Sequence, residues 1–318
     1  MKHDMLPIAR YRLTATLRAP LRLPDYAGSL LRGQFGAALR HIACMTRQPT
    51  CTGCPLQTTC PYPRIFEAVP PSSHTLQSFS AIPNAYVIEP PPLGMVHYDA
   101  GQDLVFHMVL AGAAREQLAL ILFAWQRALA QGLTKQRVVA DLVQVDWVNA
   151  EQQPQQIWSA SVPTLSEHPA ILAVPAAPPA PKQLRLHINT PLRLQQQGRA
   201  LGLTELEPRT LLAALTRRLA LVLEFHAGQS HWGEQVPRLV TLATQVQDQR
   251  QLRWHDWVRY SSRQQQEMTL GGVLGTWNLI APGEVLAELW SWLWLGQWLH
   301  VGKNATMGMG GYTLEAQA

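Results

Sequence analysis

Apolar and polar residues alternate over positions 7–19, which predicts a half-buried β-strand near the start of the chain. Apolar residues then recur at helical spacing from 30 to 45, behind Ser29 as the expected N-cap. The same two periodicities predict the rest of the first half. Its elements are a weaker strand at 86–89, a strand at 103–112, a helix at 115–132 and a strand at 136–149.

The second half repeats this order of elements. Its predicted strands cover 183–194, 251–262, 269–279 and 311–314, and its predicted helices cover 208–225 and 283–299. Each half therefore has the βαββαβ order of the ferredoxin-like fold, in an α+β protein. We expect an N-terminal ferredoxin-like domain at 1–150, a linker rich in Pro, Gln and Ala at 151–182, and a C-terminal ferredoxin-like domain at 183–318. Such RRM-like sheets are common RNA-binding surfaces.

The last predicted helix is rich in tryptophan and runs into a glycine-rich loop at 302–311. Its apolar run is too short for a membrane span, so we expect a helix that is buried on more than one side. The glycines favour a backbone that approaches a ligand closely, or one that only needs positive φ angles. The order of helix, glycines and strand argues against a Rossmann or P-loop site, where glycines follow a strand and open a helix.

Composition indicates a folded protein, and its basic balance permits nucleic-acid binding without demanding it. The 318 residues are 47% hydrophobic and 15% charged, which excludes a disordered chain. The net charge of +5 comes mostly from arginine, and arginine favours phosphate contacts and stacking on bases. The N-terminus lacks the apolar core of a signal peptide, so we expect a cytoplasmic protein in which disulfides are rare.

All four cysteines lie within seventeen residues, in the pattern C-x6-C-x2-C-x5-C. Four clustered thiols in a cytosolic chain predict a structural metal site, with zinc favoured over an iron–sulfur cluster. Four thiols without any ion are the plainer alternative. Four protein ligands would fill a tetrahedral shell and leave no position for a catalytic water, so we expect no catalytic metal here. The predicted ligands are Cys44, Cys51, Cys54 and Cys60, in an insertion at about 44–66.

Three stretches together resemble one known family: LLRGQFGAALRHIAC with the cysteine segment after it, RYSSRQQQEMTLGGVLG, and LHVGKNATMGMGGYTL. They are similar to the CRISPR repeat-processing endoribonucleases of the RAMP superfamily, in the subgroup with a cysteine-rich insertion after the first helix. The resemblance implies two ferredoxin-like domains and metal-independent cleavage of precursor CRISPR RNA within its repeat. It also implies repeat RNA, and in some cases other CRISPR effector subunits, as partners.

The resemblance further implies which residues would act. His41 stands on the first helix, with Tyr26 fifteen residues before it and Arg47 six residues after it, like the Tyr, His and Lys triads of the family. Arginine does not give up its proton, so Arg47 would only stabilise charge. His300, directly before the glycine loop, is the rival catalytic residue. The expected RNA contacts are Arg32, Arg40, Arg259, Ser261, Arg263, Gly302, Lys303, Gly308, Gly310 and Gly311.

Three functions remain open from the sequence. The first is an endoribonuclease that matures CRISPR RNA and retains its product. The second is a non-catalytic RAMP subunit that holds guide RNA in an effector complex. The third is a metal-stabilised scaffold that docks partners through its tryptophan-rich helix, although tryptophans at that density more often pack a core.

Overall fold

A computed structural model describes residues 5–70, 82–179, 181–261 and 266–317. The chain forms two compact units. The N-terminal unit comprises Pro7–Leu172 with Phe225–Gly228. The C-terminal unit comprises Met1–Leu6, Ala173–Glu224 and Gln229–Ala318. The switch from one unit to the other at Leu172–Ala173 lies inside the stretch that we expected to be a linker.

The N-terminal unit is an antiparallel sheet with helices on one face. Its elements are β1 (Ile8–Leu17), α1 (Gly28–Ala43), α2 (Pro61–Phe66), β2 (Tyr86–Glu89), β3 (Asp103–Ala111), α3 (Leu118–Gln131), β4 (Ala140–Val148) and β5 (Pro154–Ser159). The strand order is β2-β3-β1-β4-β5. The first four of these strands have the ferredoxin-like order, and β5 extends the sheet at the β4 edge.

Aromatic side chains fill the space between this sheet and its helices. Phe35 of α1 stacks on Trp125 of α3 with ring centroids 5.0 Å apart, and Phe106 of β3 lies 4.6 Å from the same indole. All three side chains are completely buried. This cluster fixes α1 by its inner face and leaves its outer face free for other contacts.

The C-terminal unit repeats the architecture. Its elements are β6 (Gln183–Leu192), α4 (Pro208–Ala227), α5 (His231–Leu242), β7 (Gln247–Ser261), β8 (Gln266–Ile280), α6 (Gly283–Leu299) and β9 (Tyr312–Gln317). The strand order is β7-β8-β6-β9, which is again ferredoxin-like. Strands β7 and β8 pair over their full length, whereas β6 pairs with β8 only from Val273 to Ile280. The β7–β8 hairpin therefore continues past the rest of its sheet.

Short elements complete both units. Two-residue strands occur at Met5–Leu6, Leu21–Arg22, His97–Tyr98, Leu172–Ala173, Gln195–Gln196 and Arg199–Ala200. Short 3₁₀ helices occur at Gly112–Gln117, Leu203–Glu205, Ala243–Gln245 and Ala305–Met307. Within the described ranges, no helix combines the length and the apolar character that a membrane span requires.

The predicted α+β fold with two ferredoxin-like domains is confirmed, and its elements differ from the structure in three places. Helix α1 starts at Gly28 with Ala27 as its N-cap, so Ser29 lies inside the helix and is not the cap. Strand β5 lies within 151–182, so the start of that stretch belongs to a sheet and is not a free linker. Helix α5 was not predicted because Pro237 stands inside it.

The tryptophan-rich helix α6 belongs to the core, as expected. Trp292 and Trp298 are buried, and Trp292 meets Trp232 of α5 edge-on at 4.6 Å. Trp290 is buried as well, and Trp294 is half-buried, so most of the tryptophan surface that the docking hypothesis requires lies in the core.

Candidate active site

An exposed histidine, His41, lies on the outer face of α1. Leu31, Phe35 and Leu39 bury the inner face of the helix. Positions Gly33, Ala37 and His41 follow one another at intervals of four residues on the opposite side, and all three are exposed. His41 lies in the last turn of this helix. The structure thus places an acid–base group on the surface at the end of α1.

A basic loop follows this histidine. Arg47 is exposed and has a positive φ of 54°. Arg40 is half-buried, and its Nη2 donates hydrogen bonds to the carbonyl oxygens of Gln48 and Pro49, the latter at 2.7 Å. Arg40 therefore shapes the loop that carries Arg47. The predicted RNA contact of Arg40 would have to compete with these hydrogen bonds.

Tyr26 does not join His41. It precedes a helix of 16 residues, whereas His41 lies in the last turn of that helix. At 1.5 Å per residue, about 22 Å of helix axis separates the two. Tyr26 is also buried, at 2% exposure, and burial together with the charge of Glu89 raises its pKa well above the usual value. The Tyr, His and basic-residue triad is therefore not assembled in this structure, because helix geometry and burial keep Tyr26 away from His41.

Arg32 belongs to the packing of the N-terminal unit. Its guanidinium lies 4.4 Å from the centre of the Phe66 ring, a cation–π contact between α1 and α2. Next to it, Gly36 leaves room for the same ring, since a Cβ at Gly36 would lie 2.3 Å from Cζ of Phe66. The predicted RNA contact of Arg32 would have to compete with this stacking.

The glycine loop between α6 and β9 is held by its own backbone. Gly302 has a φ of +86°, and Gly310 has a φ of +71°. A Cβ at Gly310 would lie 1.8 Å from the carbonyl oxygen of Val301, and one at Gly302 would lie 2.5 Å from that of Arg193. These glycines are therefore needed because two segments of the chain approach each other closely. Of the two reasons that the sequence offered for these glycines, a need for positive φ angles applies to both positions.

His300 is part of this frame. It ends α6 with a φ of 58°, is 3% exposed, and its Nδ1 lies 3.0 Å from the carbonyl oxygen of Gly308 and 3.2 Å from that of Met309. The imidazole thus closes the loop from inside. A buried ring that is hydrogen-bonded to the backbone does not reach a phosphate, so the geometry does not support His300 as the catalytic residue.

Only part of the glycine loop reaches the surface. Lys303 is exposed and Gly302 is half-buried, whereas Gly308, Gly310 and Gly311 are buried. The backbone N–H of Lys303 donates to the carbonyl oxygen of Arg193 at 2.8 Å, which leaves the side chain at the surface. Of the five loop residues that we predicted to contact RNA, Lys303 is the one whose side chain the structure presents outward.

Two supporting residues of this loop were missed from the sequence. Thr190 accepts a hydrogen bond from the N–H of Gly311 and donates one to the carbonyl oxygen of Gly308, both at 2.7 Å. Nε of Arg218 donates to the carbonyl oxygens of Leu299 and His300, at 3.0 Å and 3.2 Å. Burial lowers the pKa of Arg218 to about 10, so it stays charged at neutral pH beside the end of α6. Both residues come from distant parts of the chain, and no local pattern marks them.

The four cysteines surround one small cavity in the N-terminal unit. All four are free thiols and half-buried. Burial, followed by the charge of Glu67, raises the pKa of Cys51, and the neighbouring thiols of Cys60 and Cys44 add to this effect. Burial also raises the pKa of Cys44, but hydrogen bonds from the N–H of Arg47 and from Thr46, with the charge of Arg40, leave it below its usual value. Within the described ranges, no set of three or more His, Cys, Asp or Glu side chains lies close enough to hold a metal ion.

Comparison with known families and structures identifies the fold. The family model AF_1859_N, described as an N-terminal domain, matches residues 6–170, which is about half of the chain. The model of the CRISPR-associated endoribonuclease Cas6 matches residues 186–312. Residues 186–312 therefore belong to the Cas6 family, and the predicted resemblance to the CRISPR RNA-processing RAMP proteins is confirmed. No curated protein sequence matched the chain.

Solved Cas6 structures share this fold at low sequence identity. A Cas6 product complex is 16% identical in sequence with a TM-score of 0.58. This match covers 97% of the present chain and 99% of the other protein. Cas6 of Thermus thermophilus is 15% identical with a TM-score of 0.54, and this match covers 99% of the present chain and 100% of the other protein. A partial Cas6-RT-Cas1–Cas2 complex is 14% identical with a TM-score of 0.55, and this match covers 98% of the chain but 46% of the other protein. The family classes this chain with RNA-cleaving enzymes.

The polar face of the N-terminal sheet has its charges compensated. Arg10 pairs with Glu89 at 2.9 Å, and Arg12 pairs with Asp146 at the same distance. Asp146 is 1% exposed. An RRM-like surface instead presents aromatic side chains on which RNA bases stack. We therefore expect the RNA contacts at the end of α1 and at the glycine loop, and not on this sheet.

The predicted phosphate contacts on the β7–β8 hairpin are only partly within the described residues. Arg259 and Ser261 lie on β7, opposite Met268 and Gln266. Arg263 falls outside the described residues. These three assignments remain predictions.

Proposed function

We propose that this protein is a metal-independent endoribonuclease that cleaves precursor CRISPR RNA within the repeat and retains the mature guide RNA. Membership of the Cas6 family supports an RNA-cleaving enzyme. The observation that carries the finer proposal is the position of His41, exposed in the last turn of α1 and followed by a basic loop.

The chemistry requires no metal because the substrate supplies its own nucleophile. In our proposal, His41 accepts the proton of the ribose 2′-hydroxyl while the 2′-oxygen attacks the adjacent phosphorus. The bond from phosphorus to the 5′-oxygen then breaks, the leaving oxygen takes up a proton from water, and His41 releases its proton to the solvent. The products are a 2′,3′-cyclic phosphate and a 5′-hydroxyl. Imidazole is the side chain that most often accepts a proton in such a step.

Arg47 would stabilise the charge that develops on the phosphate. A guanidinium donates two parallel hydrogen bonds to phosphate oxygens and keeps its charge throughout the reaction. Its exposed position in the loop after α1 supports this role. Arg40 would act indirectly, because its hydrogen bonds to Gln48 and Pro49 position the segment that carries Arg47.

Lys303 and the β7–β8 hairpin would bind further phosphates of the RNA. The exposed side chain of Lys303 supports a contact that depends on charge. We propose repeat RNA as the main partner, and other CRISPR effector subunits as further partners in the cytoplasm. The alternative function is a non-catalytic RAMP subunit that holds guide RNA in an effector complex.

The decisive experiment incubates purified protein with end-labelled repeat RNA from its own locus, without Mg²⁺ and with EDTA. His41→Ala is compared with His97→Ala, which removes another exposed histidine of the same unit. We expect one cut that leaves a 2′,3′-cyclic end, a rate loss of about 100-fold or more in His41→Ala, and no change in His97→Ala.

Two results would contradict this proposal. Tight RNA binding without cleavage across pH 5–9 would leave the RNA-holding subunit as the function. Cleavage that stops in EDTA and returns with Mg²⁺, but not with Zn²⁺, would show a catalytic metal and remove the role given to the 2′-hydroxyl and His41 alone.

A further inference from the structure

The four cysteines occupy the three points at which the segment between α1 and α2 is fixed. Cys44 is the C-cap of α1, and Cys60 is the N-cap of α2. Cys51 and Cys54 bracket a tight turn, in which the N–H of Cys54 donates to the carbonyl oxygen of Cys51 at 3.1 Å. Gly53 supplies the positive φ of 76° that this turn needs. One ion held by all four thiols would join both helix ends to the turn.

The two helices already lie side by side without any ion. Phe66 of α2 packs over Gly36 of α1, and the Arg40 guanidinium lies 5.8 Å from the centre of the Tyr62 ring. The Cys60 sulfur lies 3.7 Å from the carbonyl oxygen of Ala43, the last residue of α1. Helix packing, without any metal, therefore brings the Cys60 thiol next to the end of α1, which Cys44 follows directly.

The sulfurs surround one cavity, but among the described residues they are not yet close enough together to hold an ion. The Thr46 hydroxyl stands between two of them, 3.4 Å from the Cys54 sulfur and 4.0 Å from the Cys44 sulfur. A zinc ion requires four sulfurs at about 2.3 Å from one centre. Side-chain rotation of half-buried cysteines and displacement of one exposed hydroxyl would produce that arrangement, since both helix anchors are in place.

We propose that Cys44, Cys51, Cys54 and Cys60 bind one structural zinc ion, which cross-links the end of α1 to the start of α2 and fixes the loop between them. Arg47 lies in this loop between the first and second thiols. The ion would therefore hold the exposed Arg47 at a set distance from the end of α1 and His41. Metal binding itself does not depend on the proposed function, whereas the effect on cleavage rests on it.

The test measures metal content first. The protein is purified without oxygen from medium that contains zinc and iron, and its metals are determined by elemental analysis. The variant Cys51→Ser/Cys54→Ser removes the turn thiols, and Thr50→Ser, next to Cys51, is the matched control with all four thiols. We expect about one zinc ion per chain in the wild type and the control, and a loss of most of it in the double variant.

A second readout follows the loop itself. We expect backbone amides at 44–60 to exchange with solvent at least about tenfold faster in the double variant than in Thr50→Ser, while the β1 and β3 amides keep their protection. In RNA cleavage, the double variant should slow the reaction without the complete loss expected for His41→Ala. This combination separates a loosened loop from an unfolded N-terminal unit.

Other outcomes would overturn the proposal. A chain without zinc or iron, whose four thiols react freely with a thiol reagent, would show an ion-free cluster. Iron with the visible absorption of a sulfide cluster would show an iron–sulfur site in place of zinc. A chain that binds zinc and loses it in the double variant, but cleaves no RNA, would retain the metal site and remove only the proposed function.

Discussion

The end of α1 and the glycine loop after α6 contain similar residue types in opposite surroundings. His41 is exposed at the end of its helix, whereas His300 is 3% exposed and is bonded to two carbonyl groups. The first region presents His41 and Arg47 at the surface, and in the second Gly308, Gly310 and Gly311 are buried together with His300. Most of this glycine-rich motif is therefore structural, and Lys303 is the residue that it exposes for binding.

The largest expected effect is on stability, and it comes from adding one methyl group to a glycine in each of the two regions. Gly310→Ala places a Cβ 1.8 Å from the Val301 carbonyl oxygen at a φ of +71°, so we expect a loss of about 3 kcal/mol or more in the free energy of unfolding. Gly33→Ala is the matched change in α1, where a Cβ meets nothing within 4 Å. It should raise stability by about 0.5–1 kcal/mol. Denaturant unfolding of both variants measures the difference, and equal effects would contradict the structural role of Gly310.

A smaller effect is expected at the buried histidine. His300→Ala removes the ring that lies against the Gly308 and Met309 carbonyl oxygens, and should cost about 1–3 kcal/mol in the free energy of unfolding. His187→Ala, a half-exposed histidine of the same unit that pairs with Glu315 at 3.3 Å, should change it by about 0.5 kcal/mol at most. An unfolding midpoint of His300→Ala that equals the wild type would show that the ring is not structural.

The smallest effect concerns RNA affinity. Lys303→Ala should weaken repeat-RNA binding a few-fold and reduce the slope of log K against log salt by about one, because one phosphate contact is lost. Lys182→Ala removes another exposed lysine from the same unit and should leave both quantities unchanged. Binding isotherms over a range of salt concentrations measure both variants. Identical slopes for the two would remove Lys303 from the RNA interface.

Much of the fold could be predicted from periodicity alone. The bounds of α6 (Gly283–Leu299) and β2 (Tyr86–Glu89) agree with the predictions residue for residue. Strand β5 could not be found, because Gln155 and Gln156 are exposed and only the last residues of the strand are buried, so no alternation marks it. Helix α5 tolerates Pro237 at an exposed position, although the same residue in the sequence suggests a break.

The candidate site was less predictable, because its outcome depends on contacts between distant residues. The exposure of His41 follows from its spacing with the core positions Leu31 and Phe35 on α1, and the separation of Tyr26 follows from the rise of a helix. The burial of His300 depends instead on a loop that returns its carbonyl groups to the ring nine residues later. No local pattern in the sequence contains that return.

The most direct test of the account compares the two histidines in one assay. Single-turnover cleavage of repeat RNA is measured for His41→Ala and His300→Ala, well below the unfolding temperature of both. We predict a rate loss of about 100-fold or more for His41→Ala, and a rate within about threefold of the wild type for His300→Ala, because only the first removes a proton-transfer group from the surface. A rate that falls about 100-fold in His300→Ala and is unchanged in His41→Ala would contradict the account and move the chemistry to the glycine loop.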